Sequence, residues 1–321
     1  MNLTLSTEQQ QIVDAVRTLL TRHDAPGRSK ALLATGGYDH ELDASLTEGG
    51  FTGVIGGDGT GPLEAALITL ELARSAATSA YAAGEIVAGK LLGANPGIPV
   101  ALTRKPADFP FRFGRHARLM LIDAGEEAQV LDLTEADIQP VDTDQVGWPM
   151  GVLKTGVAAR ARGLGAGTGE TLRRWWRLAL ALETIGAMQG ALELTIRYVK
   201  DRVQFGRPIG EFQTLQHRLS ELTVIVEGAR WIALETAFRD ATPLHAATAA
   251  GRAAGAAGLV ARECHQMHGA IGLTREYPLH LWSTRLGPLG VEMGGPAAHR
   301  RDAAQIRFSS QEIAAREAHW R

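Results

Sequence analysis

The sequence predicts a mainly α-helical protein with an N-terminal helical domain, a reduced β domain in the middle and a C-terminal four-helix bundle. Three observations support this organisation. Apolar residues recur at helical spacing near both ends of the chain, two short strand-like runs lie between them, and proline and glycine cluster around those runs. We therefore divide the chain into residues 1–94, 95–169 and 170–321.

The N-terminal domain begins with a capping-box pattern, in which Ser6 is the predicted N-cap and Gln9 lies three residues later. The apolar stripe behind it predicts a helix that breaks at Pro26, and a short helix is expected over residues 42–48. The glycine-rich run 49–61 lacks the spacing of a phosphate-binding loop and is predicted to be a plain loop. Residues 63–92 are predicted to form one or two helices.

The middle and C-terminal domains have different patterns. Residues 119–122 and 129–133 are predicted to be two strands of a hairpin. A stripe from Leu178 to Val199, with Gln189 as its only polar member, predicts a long packed helix. Two further helices are expected, one along the stripe from residue 215 to residue 233 and one over residues 245–267. Antiparallel helices with short connections indicate a bundle.

Composition narrows the classes of function. The 33 Lys and Arg residues nearly balance the 35 Asp and Glu residues, which disfavours a broad nucleic-acid or anionic-membrane surface. The single cysteine, Cys264, allows neither an internal disulfide nor a multi-cysteine metal site and is predicted to be buried. There is no signal-like N-terminus and no apolar run of about 20 residues. A cytoplasmic protein with no membrane, nucleic-acid or metal partner is expected.

Two segments carry residues suited to binding a cofactor. In the first, Gly206 and Pro208 are expected to end the long helix, while Arg202 and Phe205 offer a guanidinium and an aromatic face. This pair suits a diphosphate joined to an adenine, although a charged helix end with a core phenylalanine explains it equally. In the second, the glycines of residues 266–279 allow phosphate or ribose to meet exposed backbone N–H groups. An ordinary helix–loop–helix joint is the alternative there.

Taken together, the two segments resemble the acyl-CoA dehydrogenase family. The family pattern Arg-x-x-Phe-Gly-x-x-Ile-x-x-x-Gln is complete, and Gln-x-x-Gly-Gly-x-Gly is present with alanine at its second glycine. The N-terminal run LTLSTEQQQIVDAVRTLL also looks like the family's first helix. By this resemblance the expected cofactor-binding residues are Arg202, Phe205, Ile209, Gln213, Gln266, Gly269 and Ala270.

The resemblance implies an FAD enzyme that removes two hydrogens from a CoA thioester, with a carboxylate as the base for the α-proton. The chain differs from the family pattern at the segments that hold the flavin ring and at the position of the base. The Thr-Glu-Pro…Gly-Ser-Asp loop and the Trp-Ile-Thr strand that hold the flavin ring are missing, and Met293 aligns with the usual base. Its neighbour Glu292 is a weak candidate. Trp176 occupies the alternative base position, and Glu183, two turns later, is predicted to be structural.

In the family, the ring-holding loops and the base come from one subunit, whereas the two retained motifs reach the adenosine-diphosphate end of a neighbour's FAD. The resemblance therefore implies a subunit without its own base in a heteromeric, α2β2 acyl-CoA dehydrogenase. Its partner would be a second, catalytic chain. The family's heteromers include enzymes of steroid degradation, so a steroid side-chain CoA thioester is the expected substrate, bound mainly by the partner.

Two alternatives remain at this point. One is a self-sufficient homo-oligomeric dehydrogenase that uses Glu292 as its base. The other is a flavin-free scaffold subunit that only stabilises a partner chain.

Overall fold

The computed structural model describes residues 4–97, 99–141 and 146–309. Its N-terminal part is helical. The helices are α1 Thr7–Arg22, α2 Ala25–Thr35, α3 His40–Glu48, α4 Pro62–Arg74 and α5 Gly89–Leu92, with a π-helical segment Ala82–Ala88 before α5. The predicted capping box is confirmed, because Ser6 accepts from the Gln9 N–H and the Gln9 side chain accepts from the Ser6 N–H. None of the helices in the described ranges has the length and hydropathy of a membrane-spanning segment.

The first helix breaks as predicted, but it ends at Arg22, four residues before Pro26. Pro26 lies in the first turn of α2, where a proline needs no N–H partner, and Asp24 caps this helix by accepting from the Gly27 N–H. The short third helix is confirmed, and it begins two residues earlier than predicted.

The glycine-rich run is a loop, as predicted, and a buried carboxylate holds it in place. Glu85 is fully buried in the π-helical segment. Its two oxygens accept from the Gly53 N–H at 2.9 Å, the Ile55 N–H at 2.8 Å and the Asn95 amide at 2.6 Å. Hydrogen bonds to an ionised acceptor are stronger than those between neutral groups. The Glu85 side chain therefore holds the loop at Gly53 and Ile55 and also binds Asn95.

Replacing Glu85 with glutamine is expected to destabilise the chain by about 2 kcal/mol. Glutamine has one acceptor oxygen, so its amide N–H₂ must face one of the two backbone N–H groups. Thermal unfolding measures the effect, and Glu48→Gln on the exposed end of α3 is the control. An equal midpoint for the two variants would contradict the assigned role of Glu85.

The middle of the chain forms two small sheets. Their strands are β1 Val100–Arg104, β2 Phe111–Arg112, β3 Leu119–Asp123, β4 Glu127–Asp132, β5 Ile138–Val141, β6 Met150–Leu153 and β7 Arg162–Ala166. The first sheet has the order β1-β3-β4-β7 with β1 parallel to β3, and the second has the order β2-β6-β5. The predicted hairpin is confirmed, because β3 and β4 pair antiparallel.

Alternation along β3 joins this region to the rest of the molecule. Leu119 and Leu121 face the main core, whereas Met120 and Ile122 face a separate small core of the β region. Side chains of a strand alternate between its two faces, so a strand buried on both sides links two cores.

The C-terminal part is the predicted helical bundle. Its helices are α6 Thr168–Asp201, α7 Gln213–Phe238, α8 Pro243–His268, α9 His280–Val291 and α10 Gly295–Arg307. Helix α6 has 34 residues and is packed against α4, α7, α8 and α9. Cys264 is buried in α8, as predicted, and burial raises the pKa of its thiol to about 11, which leaves it unreactive.

Candidate functional site

The two cofactor-binding motifs lie at one end of the bundle. Helix α7 runs antiparallel to both α6 and α8, which brings the C-terminal ends of α6 and α8 together. Tyr198, near the end of α6, stacks on His268, the last residue of α8, with ring centroids 4.5 Å apart. His268 is buried and its Nδ1 lies 2.7 Å from the Cys264 carbonyl oxygen, so it packs and hydrogen-bonds within the bundle.

The first motif forms a small hairpin that the sequence did not predict. Helix α6 ends at Asp201, and β8 Val203–Gln204 pairs with β9 Arg207–Pro208 across a two-residue turn. Phe205 and Gly206 both have positive φ in this turn, 55° and 80°. This twist suits a tight hairpin, but a bulky residue at positive φ is strained. Phe205 therefore occupies the tip of the hairpin at a cost in backbone strain.

The hairpin presents its aromatic ring to the outside. Phe205 is 90% exposed, and Arg202 beside it is exposed with no ion pair or hydrogen bond from its guanidinium to any described residue. The Arg207 guanidinium lies 4.2 Å from the Phe212 ring centroid. The Ile209 N–H donates to the Arg202 carbonyl at 2.8 Å, and its half-buried side chain supports the hairpin from the core side. Gln213 is exposed on the first turn of α7.

The second motif forms a short 3₁₀ segment after α8, Gly269–Leu273. Gln266, Gly269 and Ala270 are exposed, and Gly269 has φ of 63° with no atom within 4 Å of where a Cβ would stand. Gly272 is buried, and a Cβ there would meet the His268 Cβ at 2.7 Å. This end of the bundle therefore offers an unpaired guanidinium, an exposed ring and an open backbone. The set fits a diphosphate and an adenine of FAD.

A cavity of about 640 Å³ lies between the β region and the helical bundle. Apolar residues from β1, β2 and the α9–α10 turn form much of its lining. Glu292 is the one acidic residue among its described lining residues, and Trp176 and Met293 lie beside it. The Trp176 indole N–H donates to Glu292 Oε1 at 2.7 Å, so the side chain at the family's alternative base position binds the weak candidate base.

Arg112 completes this arrangement and was missed by the sequence analysis. It makes a two-pronged pair with Glu183, with both N–O distances at 2.9 Å, and its Nε lies 3.1 Å from Glu292 Oε2. The side chains of Arg112, Glu183 and Glu292 are only 11%, 14% and 19% exposed. Glu183 is therefore an interdomain ion-pair residue, in line with the structural role predicted for it. We call Arg112, Glu183 and Glu292 the Arg112 cluster.

A second buried arginine lies beside the cluster. Arg285 is 3% exposed and donates to the Gly147 carbonyl, the Ala77 carbonyl and Thr78 Oγ1. Burial lowers its pKa to about 9. Its guanidinium lies 5.2 Å from the Trp148 ring centroid, and that of Arg112 lies 4.9 Å from the same ring. Both guanidinium groups therefore lie near the same Trp148 ring, which gives this tryptophan a structural role.

A cationic cleft of about 740 Å³ opens next to the cavity, and both are lined by Arg104, Lys105 and Met293. The cleft is also lined by four arginines of α6 and α10 and by three carboxylates. These residues are Arg173, Arg174, Arg177, Arg301, Asp123, Glu170 and Asp302. The excess of cations favours an anionic ligand.

The hairpin and the cavity are far apart. Trp176 and Arg202 belong to the same helix or its cap, and a rise of 1.5 Å per residue places their backbones about 39 Å apart. One flavin molecule does not reach from the cavity to the hairpin over this distance. Any FAD that the hairpin contacts therefore has its ring outside this chain's cavity.

Comparison with known proteins supports the family indicated by the two sequence motifs. The family model described as "Acyl-CoA dehydrogenase, C-terminal domain" matches residues 162–302. The acyl-CoA dehydrogenase IpdE2 of Mycobacterium tuberculosis H37Rv is 31% identical over 306 residues, which cover 88% of this chain and 92% of that protein. IpdE2 of Mycolicibacterium smegmatis is 40% identical over 126 residues, 39% of this chain and 40% of that protein.

Solved structures share the fold over nearly the whole chain. A chain of the ChsE4-ChsE5 complex from Mycobacterium tuberculosis has a TM-score of 0.80 at 21% identity and covers 96% of this chain and 100% of its own length. A chain of the Tcur3481-Tcur3483 steroid ACAD, G363A variant, has a TM-score of 0.77 at 24% identity, with coverage of 98% and 100%. The predicted fold class is confirmed by these matches.

Proposed function

Because this chain belongs to the acyl-CoA dehydrogenase family, we propose that it is the subunit without its own base in a heteromeric, FAD-dependent acyl-CoA dehydrogenase. FAD accepts the hydride in this chemistry. The partner chain holds the flavin ring, the thioester and the base. This chain supplies Arg202, Phe205, Gln213, Gln266 and Gly269 to the adenosine-diphosphate end of the partner's FAD.

The observation that carries the proposal is the contrast between the two ends of α6. At one end, Arg202 and Phe205 are exposed and unpaired within the described chain. At the other end, Glu292 is already bound by Trp176 and Arg112. The Glu292 carboxylate is therefore already engaged by donors of its own chain, with Trp176 on one oxygen and Arg112 on the other. The end of α6 near the hairpin is therefore available to bind a cofactor. At the end near the cavity, the candidate base is already engaged within the chain.

The names of the relatives support a heteromer and a steroid substrate. Two structural neighbours are complexes of two different chains, and one of them is titled a steroid ACAD. We propose an α2β2 assembly that acts on a steroid side-chain CoA thioester bound mainly by the partner.

The first test is the visible absorption spectrum of the chain purified alone and again after co-expression with a candidate partner chain. A colourless lone chain and a yellow complex with one FAD per pair of unlike chains are expected. A lone chain that is yellow and oxidises a CoA thioester would contradict the proposal.

The self-sufficient dehydrogenase is the second candidate, and one observation favours it. The cavity shares Arg104, Lys105 and Met293 with the neighbouring cationic cleft, and the two together would fit the tail and phosphates of a CoA thioester. In that case Glu292 must be the base, because it is the one acidic residue among the described lining residues of the cavity.

Replacing Glu292 with glutamine separates the two candidates. We expect turnover by the assembled enzyme to change less than about threefold, because the base resides on the partner. If Glu292 is the base, loss of general-base catalysis lowers kcat by at least about 100-fold. Steady-state kinetics with a CoA thioester give the answer, and Glu48→Gln on the exposed end of α3, remote from both motifs, is the control.

A further inference from the structure

The Arg112 cluster joins three parts of the chain that are remote in sequence. Arg112 belongs to β2, Glu183 to the middle of α6, and Glu292 to the turn between α9 and α10. One guanidinium therefore ties the β region to the long helix and to the α9–α10 turn at once. Its fork geometry suits this role, because Nη1 and Nη2 bind Glu183 while Nε faces Glu292.

The charges of the cluster balance once the neighbouring Arg285 is included. Arg112 and Arg285 both lie within 5.2 Å of the Trp148 ring centroid, and both are mostly buried. Two buried cations so placed repel each other unless carboxylates offset them. Glu183 and Glu292 supply two negative charges, so the four side chains are neutral as a set. Removing one member leaves a buried charge without its partner, which costs more than the pair contributes.

The cluster also determines what the cavity can do. Glu292 Oε1 accepts from Trp176, and Glu292 Oε2 faces Arg112. Both oxygens of the acidic lining residue are thus bound by the chain itself. Glu292 lines the cavity, but these two contacts fix the orientation of its carboxylate, whereas a general base must direct an oxygen at its substrate.

We propose that Arg112 is the positioning residue that keeps this chain's cavity non-catalytic, by clamping the β region to the helical bundle and by holding the Glu292 carboxylate in its contacts with Arg112 and Trp176. This inference deepens the proposed function and rests on it only in treating the cavity as non-catalytic. It attributes the absence of catalysis in this cavity to one side chain, Arg112. It also explains why the chain retains a carboxylate beside the position of the lost base.

The test is carbodiimide labelling of carboxylates in the assembled complex, followed by peptide mass spectrometry. In the unmodified protein, Glu292 is expected to react at least about tenfold more slowly than Glu126 on the exposed β3–β4 turn. Arg112→Met is expected to raise the Glu292 rate at least about tenfold. Arg112→Lys, which keeps the charge and loses the fork, is expected to give an intermediate rate. Arg118→Met, which removes a surface ion pair in the same region, is the matched control.

Amide hydrogen exchange tests the clamp itself. Arg112→Met is expected to speed exchange in β2 and in residues 291–294 together, whereas Arg118→Met leaves residues 291–294 unchanged. Where Arg112→Met does not fold, Arg112→Lys provides the same comparison with a smaller change.

Two results would overturn the inference. One is fast labelling of Glu292 in the unmodified complex, and the other is labelling and exchange at residues 291–294 that no Arg112 variant alters. Neither readout depends on FAD or turnover. A yellow, active lone chain would instead contradict the proposed function, so the two failures are distinguishable.

Discussion

Replacing Arg202 with glutamate is expected to release FAD from the assembled complex. The change removes a charge-assisted contact to a diphosphate and puts a negative charge in its place. A hydrogen bond to a charged group contributes about 1.5–3 kcal/mol, so the Kd for FAD is expected to rise roughly 10- to 100-fold. The measurement is the ratio of FAD to protein after desalting, followed by a flavin titration of the stripped complex.

Arg239→Glu is the matched control for this experiment. Arg239 is exposed just beyond the last turn of α7, at the opposite end of the bundle, and pairs with Glu235 on the same helix. It undergoes the same change of charge without touching the hairpin. If the Arg202 variant retained as much FAD as the Arg239 variant, the chain would be a flavin-free scaffold and the proposed function would fail.

Acidification is expected to destabilise the chain between about pH 6.5 and pH 4, with His299 as the largest single cause. His299 is fully buried in α10. Burial, and then the charge of Arg177, lower the pKa of His299 from 6.5 to about 4. The unfolded chain therefore binds this proton more readily than the folded chain, and the stability present above pH 6.5 falls as the pH approaches 4. A shift of this size corresponds to about 3 kcal/mol.

The free energy of unfolding of the lone chain or of the complex, measured from pH 7 to pH 4, tests this. His299→Gln is expected to remove most of the His299 contribution. His217→Gln, on the exposed face of α7, is expected to leave the pH dependence unchanged. Burial also lowers the pKa of three further histidines, His116, His265 and His268. These histidines are expected to maintain part of the pH dependence of unfolding in His299→Gln. An unchanged slope in His299→Gln would contradict the assignment.

Local features of the fold were predictable because their signals lie within a few residues. The capping box at Ser6 and the β3–β4 hairpin each depend on neighbouring side chains. Pro26 misled the prediction because a proline is compatible both with a break and with the start of a new helix. The hairpin at Phe205 was hidden for a similar reason, since glycine and proline after a helix mark its end without specifying the structure that follows.

The two ends of the candidate site differ in how much the sequence could indicate. The hairpin end could be proposed as a binding site from the sequence, because its motif is continuous and its spacing is specific. The Arg112 cluster was not found, because Glu183 and Glu292 lie 71 and 180 positions away from Arg112. A charged residue in a short strand is usually solvated, and only the packing of the β region on the bundle shows that this one is buried. Arg285 and Trp148 were missed for the same reason.

The positive φ of Phe205 implies a conflict between two kinds of selection. Asparagine or glycine adopts this conformation with less strain, so either one would be favoured at the hairpin tip in a chain selected only for folding. Phenylalanine reduces the stability of the isolated chain and offers an aromatic surface in return. A library screened for thermal stability alone should therefore enrich small residues at this position. A library screened for assembly with a flavin-bearing partner should remove them.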